Sequence, residues 1–171
     1  YKSQGLGPWA ETGWLARFDE RTGTPQWAWG PPVQLGALPN IAAVEREVRA
    51  VFAANPGALG VPMESLALGR SGYVETQDAW LVHFDQVIPG TDVRVWRGGV
   101  RVRIKHGRLI GFGVDTHAEV ENMSPQAAIP AEQAQARAIA AGPASNGAEH
   151  TDIKAQLMVL PIDDGARLTP T

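Results

Sequence analysis

The chain has 171 residues and carries 15 basic against 18 acidic side chains, a formal charge of −3, so it lacks the cationic excess by which a general polyanion binder is recognised. With 44% hydrophobic and 19% charged residues it is not compositionally disordered, and its length suits one domain or two small ones. The absence of cysteine excludes a disulfide framework, a thiol nucleophile and a thiolate metal site, and no apolar run approaches the ~20 residues of a membrane-spanning helix.

The 19 glycines and 13 prolines imply frequent turns between short elements. The first expected unit is a β-hairpin, in which Trp14 to Phe18 and Gln26 to Trp29 flank the turn Asp19-Glu20-Arg21-Thr22-Gly23-Thr24-Pro25. Trp14, Ala16 and Phe18 share one face of the first strand, and Trp27 and Trp29 share one face of the second. Gly30 to Pro39 reads as a linker. Asn40 is suited to cap a helix whose apolar positions Ile41, Val44, Val48, Val51 and Phe52 recur at helical spacing, and Asn55-Pro56-Gly57 stops it.

Strand-like segments follow at Leu66 to Leu68, Tyr73-Val74 and Trp80 to Phe84, with Trp80, Val82 and Phe84 facing the helix. Val100 to Lys105 alternates strictly, burying Val100, Val102 and Ile104 and exposing Arg101, Arg103 and Lys105. His106-Gly107 provides a tight turn, and Leu109 to Val114 returns as the partner strand, with Gly111 and Gly113 permitting a bulge or a close approach. These elements imply a helix laid on an antiparallel sheet. A second helix is expected over Ala131 to Ala141, with Pro130 in its first turn and Gly142-Pro143 at its end. The segment from Ile153 to Pro161 reads as a strand with Ile153, Ala155, Leu157 and Val159 inward. Asp163-Asp164-Gly165 reads as a turn, and Arg167 to Thr171 as the opening of a further strand.

The residues of chemistry form few motifs. None of the four histidines lies in an H-E-x-x-H spacing. Asp115 and His117 project to one side of a strand and, with His106, make a conceivable metal set, set against a reading as solvated strand-end residues. No serine has a G-x-S-x-G frame, the acid pairs Asp163-Asp164 and Glu119/Glu121 suit solvated turns, and Gly98-Gly99 precedes a strand where a phosphate loop opens a helix. Partner binding is the remaining chemistry. Trp96, beside Arg97-Gly98-Gly99, is the candidate exposed anchor, and Arg101, Arg103 and Lys105 form a cationic face that serves either a partner or solvation of the sheet.

Three segments carry a resemblance to a family. Arg17-Phe18-Asp19-Glu20-Arg21-Thr22-Gly23-Thr24-Pro25 resembles an R-F-x-x-x-T-G-T-P hairpin. The helix ending at Phe52, with Leu59-Gly60 and Leu66 to Leu68, is similar to a first helix and strand. Val93-Arg94-Val95-Trp96-Arg97-Gly98-Gly99-Val100, with Gly107 to Gly111, resembles a V-P-V-x-G-G-x-x-V strand and its return, with Arg94 in the place of Pro and a longer connection at Ile88-Pro89-Gly90-Thr91. All belong to the fungalysin and thermolysin propeptide region, the amino-terminal prosegment of secreted zinc metallopeptidases, and Ile129 to Leu160 resembles the first half of the PepSY domain that follows it.

The resemblance implies an α+β fold of two tandem cystatin-like units, each a helix on an antiparallel sheet. Residues 1–39 would be hairpin and linker, 40–121 the propeptide domain, and 122–171 a PepSY unit incomplete at its C-terminal end. It implies a non-catalytic chaperone and inhibitor whose partner is the cognate metallopeptidase catalytic domain, with no nucleic acid or membrane partner. Zinc and calcium would belong to that peptidase and no cofactor to this chain. The protein would be secreted, extracellular or periplasmic, with its signal peptide already absent. The alternative is a free-standing extracellular module that binds protein or glycan through Trp96, Arg97 and the cationic strand.

Overall fold

The computed structural model describes residues 11–20, 22–55, 57–120, 122–141, 155–163 and 168–170. They form a mixed α+β structure with an eight-stranded, mainly antiparallel sheet and two α-helices. The hairpin is β1 (Leu15–Phe18) and β2 (Pro25–Gln34), followed by α1 (Ile41–Ala53), β3 (Leu66–Leu68) and β4 (Gly72–Val74). The long strands β5 (Ala79–Val87), β6 (Arg94–Lys105) and β7 (Arg108–Asp115) come next. Across the sheet the order is β1-β2-β7-β6-β5-β3, with β4 also on β5 and the short β8 (Met158–Val159) on β6. No helix among the described residues is long and apolar enough to cross a membrane.

Helix α1 begins where Asn40 accepts a hydrogen bond from the Ala43 amide at 3.0 Å. It ends where the Asn55 side chain returns a donor to the Val51 carbonyl at 2.7 Å. Its buried residues Ala43, Val44, Val48 and Phe52 lie on one stripe. Val44, Val48 and Phe52 meet Val82 and Phe84 of β5, Val100, Val102 and Ile104 of β6, and Leu109, Phe112 and Val114 of β7 in one core cluster, with Trp14 and Ala28 from the hairpin. Phe112 is at its centre, 5.1 Å from the Phe52 ring and 5.7 Å from Trp14. Each such side chain contributes about 1.5–3 kcal/mol through burial. Arg49 fastens the helix laterally, donating to the carbonyls of Met63 and Leu66 at 3.0 and 2.9 Å while pairing with Glu45 at 2.8 Å.

The segment expected as a linker is strand as far as Gln34. Ala28 and Trp29 pair with Phe112 and Gly111, and the next pairs are Val33 with Leu109 and Gln34 with Arg108. Gly30, Pro31 and Pro32 therefore bulge opposite the single residue Ile110, where prolines without an amide hydrogen remove no ladder bond. The hairpin consequently shares one sheet with β3 to β7 and the main core with α1.

The β6–β7 turn is as read, with His106 at φ 49° and Gly107 at φ 70°, the positive values a two-residue hairpin turn requires. At the other end of β6, Asp85 pairs with Gly99 and Val87 with Arg94. Gln86 alone thus opposes the four residues Val95 to Gly98. Gln86 is fully buried and works as a substitute strand, donating to the His117 carbonyl at 2.8 Å and accepting from the His117 amide at 2.9 Å.

Helix α2 (Ala131–Ala141) begins as expected, with the Ala134 amide bonded to the Pro130 carbonyl. The strand expected from Ile153 to Pro161 is reduced to β8, which runs parallel to β6 through Arg94–Met158 and Val95–Val159. Val159 is buried with Ile88, Val95 and Val120 in a second small cluster. Leu157, expected inward, is 39% exposed. With Ala155 it lines a 190 Å³ cavity against Ala128, Ile129 and Ala134, so the chain here follows the start of α2 and not a strand pleat. Strands β9 (Pro161–Asp163) and β10 (Leu168–Pro170) form a separate antiparallel pair. The helix stop at Gly142-Pro143, the position Ile153, and Asp164-Gly165 of the expected turn lie outside the described residues.

Packing against Gly99 sets a sharp test. A Cβ there would stand 2.1 Å from the Phe84 carbonyl oxygen, whereas at Gly107 nothing lies within 4 Å. Gly99→Ala should lower stability by about 2 kcal/mol or more, and Gly107→Ala by about 1 kcal/mol through its positive φ alone. Urea denaturation of both variants checks the order, which a larger loss at Gly107 would reverse.

Candidate partner-binding face

Helix α1 packs on one face of the sheet, and on the opposite face Leu15, Trp27, Trp29 and Leu81 are exposed. Register assembles that outer face in rows. Leu15 is beside Trp29, Trp29 beside Gly111, Gly111 beside Arg103, and Arg103 beside Leu81. In the neighbouring row Arg17 pairs with Trp27, Gly113 with Arg101, and Arg101 with His83. The Trp27 indole bridges the gap by lying over β7, where a Cβ on Gly113 would come within 2.9 Å of the ring and one on Gly111 within 3.2 Å. Two glycines on alternate positions thus give the indole a smooth bed.

Between Trp27 and Leu81 runs a shallow groove of about 350 Å³, lined by Trp27, Arg70, Leu81, His83, Arg101 and Arg103. Trp27 is 39% and Leu81 47% exposed. His83 Nε2 is 3.1 Å from one oxygen of Asp85, and Arg94 is 2.8 Å from the other. Arg103 donates to the Gln77 side-chain oxygen at 3.2 Å. Among the described residues Arg70, Arg101 and Arg103 have no carboxylate partner. Guanidinium forks without a carboxylate partner, set beside an aromatic plane, are suited to planar anions and apolar side chains together.

Of the residues singled out in the sequence, Arg101, Arg103 and Lys105 are exposed on the outer face as expected, and the first two enter the groove. Trp96, 50% exposed, and Arg97, at φ 59°, are displayed by the four-residue bulge opposite Gln86 and are not among the groove's lining residues. Sequence reading missed Trp27, Arg70, Leu81 and His83. The outward placement of Leu81 and His83 follows from the inward alternation of Trp80, Val82 and Phe84. That of Trp27 over the β7 glycines requires the strand order.

The metal set of Asp115, His117 and His106 is not assembled. His106 sits in the turn before β7 and His117 beyond its far end, about 25 Å away at the rise of a strand. His117 is buried, with Nε2 3.9 Å from Asp115 and Nδ1 3.6 Å from Glu119. Among the described residues no group of three His, Asp or Glu is placed to hold a metal ion.

His106 instead belongs to a cluster that the sequence concealed. The Asp78 carboxylate accepts from the Tyr73 hydroxyl at 2.6 Å and meets His106 Nδ1 with its other oxygen. The His106 amide also donates to the Asp78 carbonyl. This ties the β4–β5 turn to the β6–β7 turn. The Tyr73 and His106 hydrogen bonds hold the Asp78 carboxyl below the usual aspartate range, and the same contact pushes the Tyr73 phenol up.

No protein-family model, curated protein or solved structure matches the chain.

The lowered pKa of Asp78 has a defined acid signature. Its contribution to folding is present above the unfolded aspartate value, about 3.9, and is lost as pH falls through the lower folded value. Asn tolerates the left-handed backbone of Asp78, φ 46°. Asp78→Asn should therefore retain the fold and show a shallower decline of unfolding midpoint between about pH 4 and pH 2 than the parent chain. Identical slopes would show that Asp78 contributes nothing to acid sensitivity.

Proposed function

We propose that this chain is the prosegment of a secreted zinc metallopeptidase of the thermolysin and fungalysin type, a folding template and inhibitor without catalysis of its own. The observation that carries the reading is the outer sheet face, which gathers tryptophan, leucine and arginine into one surface. Such a surface has the composition of a protein interface, where aromatic residues and Arg are enriched. An ordinary interface of about 1,600 Å² is enough to cover a catalytic cleft. Exported proteases are protected by high unfolding barriers that also slow unaided folding, and a template that binds the folding transition state relieves that delay.

Further support comes from the segments behind the resemblance. The R-F-x-x-x-T-G-T-P stretch is the β1–β2 hairpin, and the Gly98-Gly99 stretch leads into the central strand β6. Arg94, which departs from the family's Pro, forms an ion pair with Asp85 and joins two strand ladders, at Val87 and at Met158. In this reading β1 to β7 with α1 are the first of two cystatin-like units, and α2 opens a second, incomplete one whose β8 is paired to β6 of the first. Zinc and calcium belong to the peptidase.

The half-exposed Trp96 on its bulge favours a second reading, a free-standing extracellular module that binds protein or glycan. A chain that binds an extracellular protein or glycan, loses that binding on Trp96→Ala, and neither refolds nor inhibits the peptidase would favour the second reading.

The reading frame beyond Thr171 should encode an H-E-x-x-H helix, and a stop codon shortly after that residue would remove the basis of the proposal. Added to the denatured catalytic domain from that frame, the chain should raise recovered activity, and added to the folded enzyme it should inhibit. Failure of both effects would overturn the reading.

A further inference from the structure

We infer that the groove between Trp27 and Leu81 receives an extended acidic segment of the partner protein, with carboxylates at alternating positions and an apolar side chain on the same face. The inference rests on the prosegment reading and adds to it the chemistry of the surface that the chain grips.

Spacing is the first argument. Arg101 and Arg103 lie two residues apart on one face of β6, about 6.6–6.8 Å at the rise of a strand. An extended peptide laid along β6 repeats its side chains at the same interval. Carboxylates at alternate residues therefore meet both guanidinium groups in register, whereas adjacent ones point to opposite sides. Charge is the second argument. The chain as a whole carries −3, yet Arg70, Arg101 and Arg103 converge on this groove without a carboxylate partner among the described residues. His83, by contrast, is already matched by Asp85 at 3.1 Å. A guanidinium accommodates a carboxylate through two parallel hydrogen bonds, which suits it to this ligand.

The walls supply the third argument. The partly exposed Trp27 ring on one side and the Leu81 side chain on the other offer apolar contact that a small inorganic anion does not use. The Trp27 wall is fixed by its seat on Gly111 and Gly113, so little ordering remains to be done on binding.

The test uses the full 171-residue chain and a blocked synthetic peptide in which two glutamates alternate with threonines and a leucine follows on the same face. Titration is followed by calorimetry and tryptophan fluorescence. Saturable binding is expected, weakened about five- to tenfold by Arg101→Gln or Arg103→Gln. Arg46→Gln, on the exposed side of α1, should leave it unchanged. Replacing both glutamates by glutamine should abolish binding, and placing them side by side should weaken it. Equal binding by the glutamine peptide, no effect of either groove substitution, or attachment to phosphatidylserine vesicles without peptide binding would overturn the inference. Circular dichroism of the variants guards against a folding defect. A chain that assists and inhibits the peptidase but ignores the peptide refutes the groove assignment alone. Peptide binding by a chain without effect on the peptidase supports the groove and removes the prosegment reading.

Discussion

One helix can cover one face of a sheet, and most of this architecture follows from that limit. Val100, Val102 and Ile104 of the central strand require an apolar cover, which α1 supplies through Val44, Val48 and Phe52. The intervening Arg101, Arg103 and Lys105 cannot be buried without partners, so the other face has to remain accessible. The strict alternation of six residues thereby decides both where the core forms and where recognition is possible. The flanking strands conform to it. Phe84 and Val82 of β5 face inward beside Val100 and Val102, and Leu81 and His83 face outward beside Arg103 and Arg101.

The outer face is shaped by side chains that are missing as much as by those present. Gly111 and Gly113 leave a trough on β7, and Trp27 reaches across from β2 to fill it. The ring thus forms a wall of the groove from a strand that is not adjacent to the arginines. On β6 the same economy appears at Gly99, which lets the strand approach the Phe84 carbonyl and resume its ladder after the bulge. Gln86, opposite the bulge, satisfies the backbone of His117 with both ends of its amide, so the His117 amide and carbonyl are both paired.

Features set by neighbours in the sequence were legible. The Asn40 cap, the stop at Asn55, the alternation from Val100 to Lys105 and the His106-Gly107 turn each depend on a few consecutive residues and a local conformational preference. Features that need the strand order were not. Pro31-Pro32 reads as linker because proline lacks a ladder donor, and only the pairing with β7 shows that they fall in a bulge where none is needed. The metal set failed for a similar reason, since His106 and His117 are close in sequence but separated by the length of β7. The Tyr73–Asp78–His106 cluster joins two turns 28 residues apart for the Asp78–His106 contact, and no periodicity announces it. Of the groove, the two arginines of β6 were visible and the aromatic wall was hidden. Leu157 misled because it continues an alternation whose inward side is occupied by the start of α2.

The parallel attachment of β8 has a kinetic meaning. Among the described residues Met158 and Val159 find strand partners on Arg94 and Val95, and closing so long a loop costs entropy that two ladder positions and the small cluster around Val159 repay sparingly. The sheet beneath α1 must exist before this strand has anywhere to land. Among the described strands β8, held by two ladder positions, is therefore the one that detaches from the sheet at least cost. The outer face built by β2, β7, β6 and β5 thus keeps its register whether or not β8 is docked.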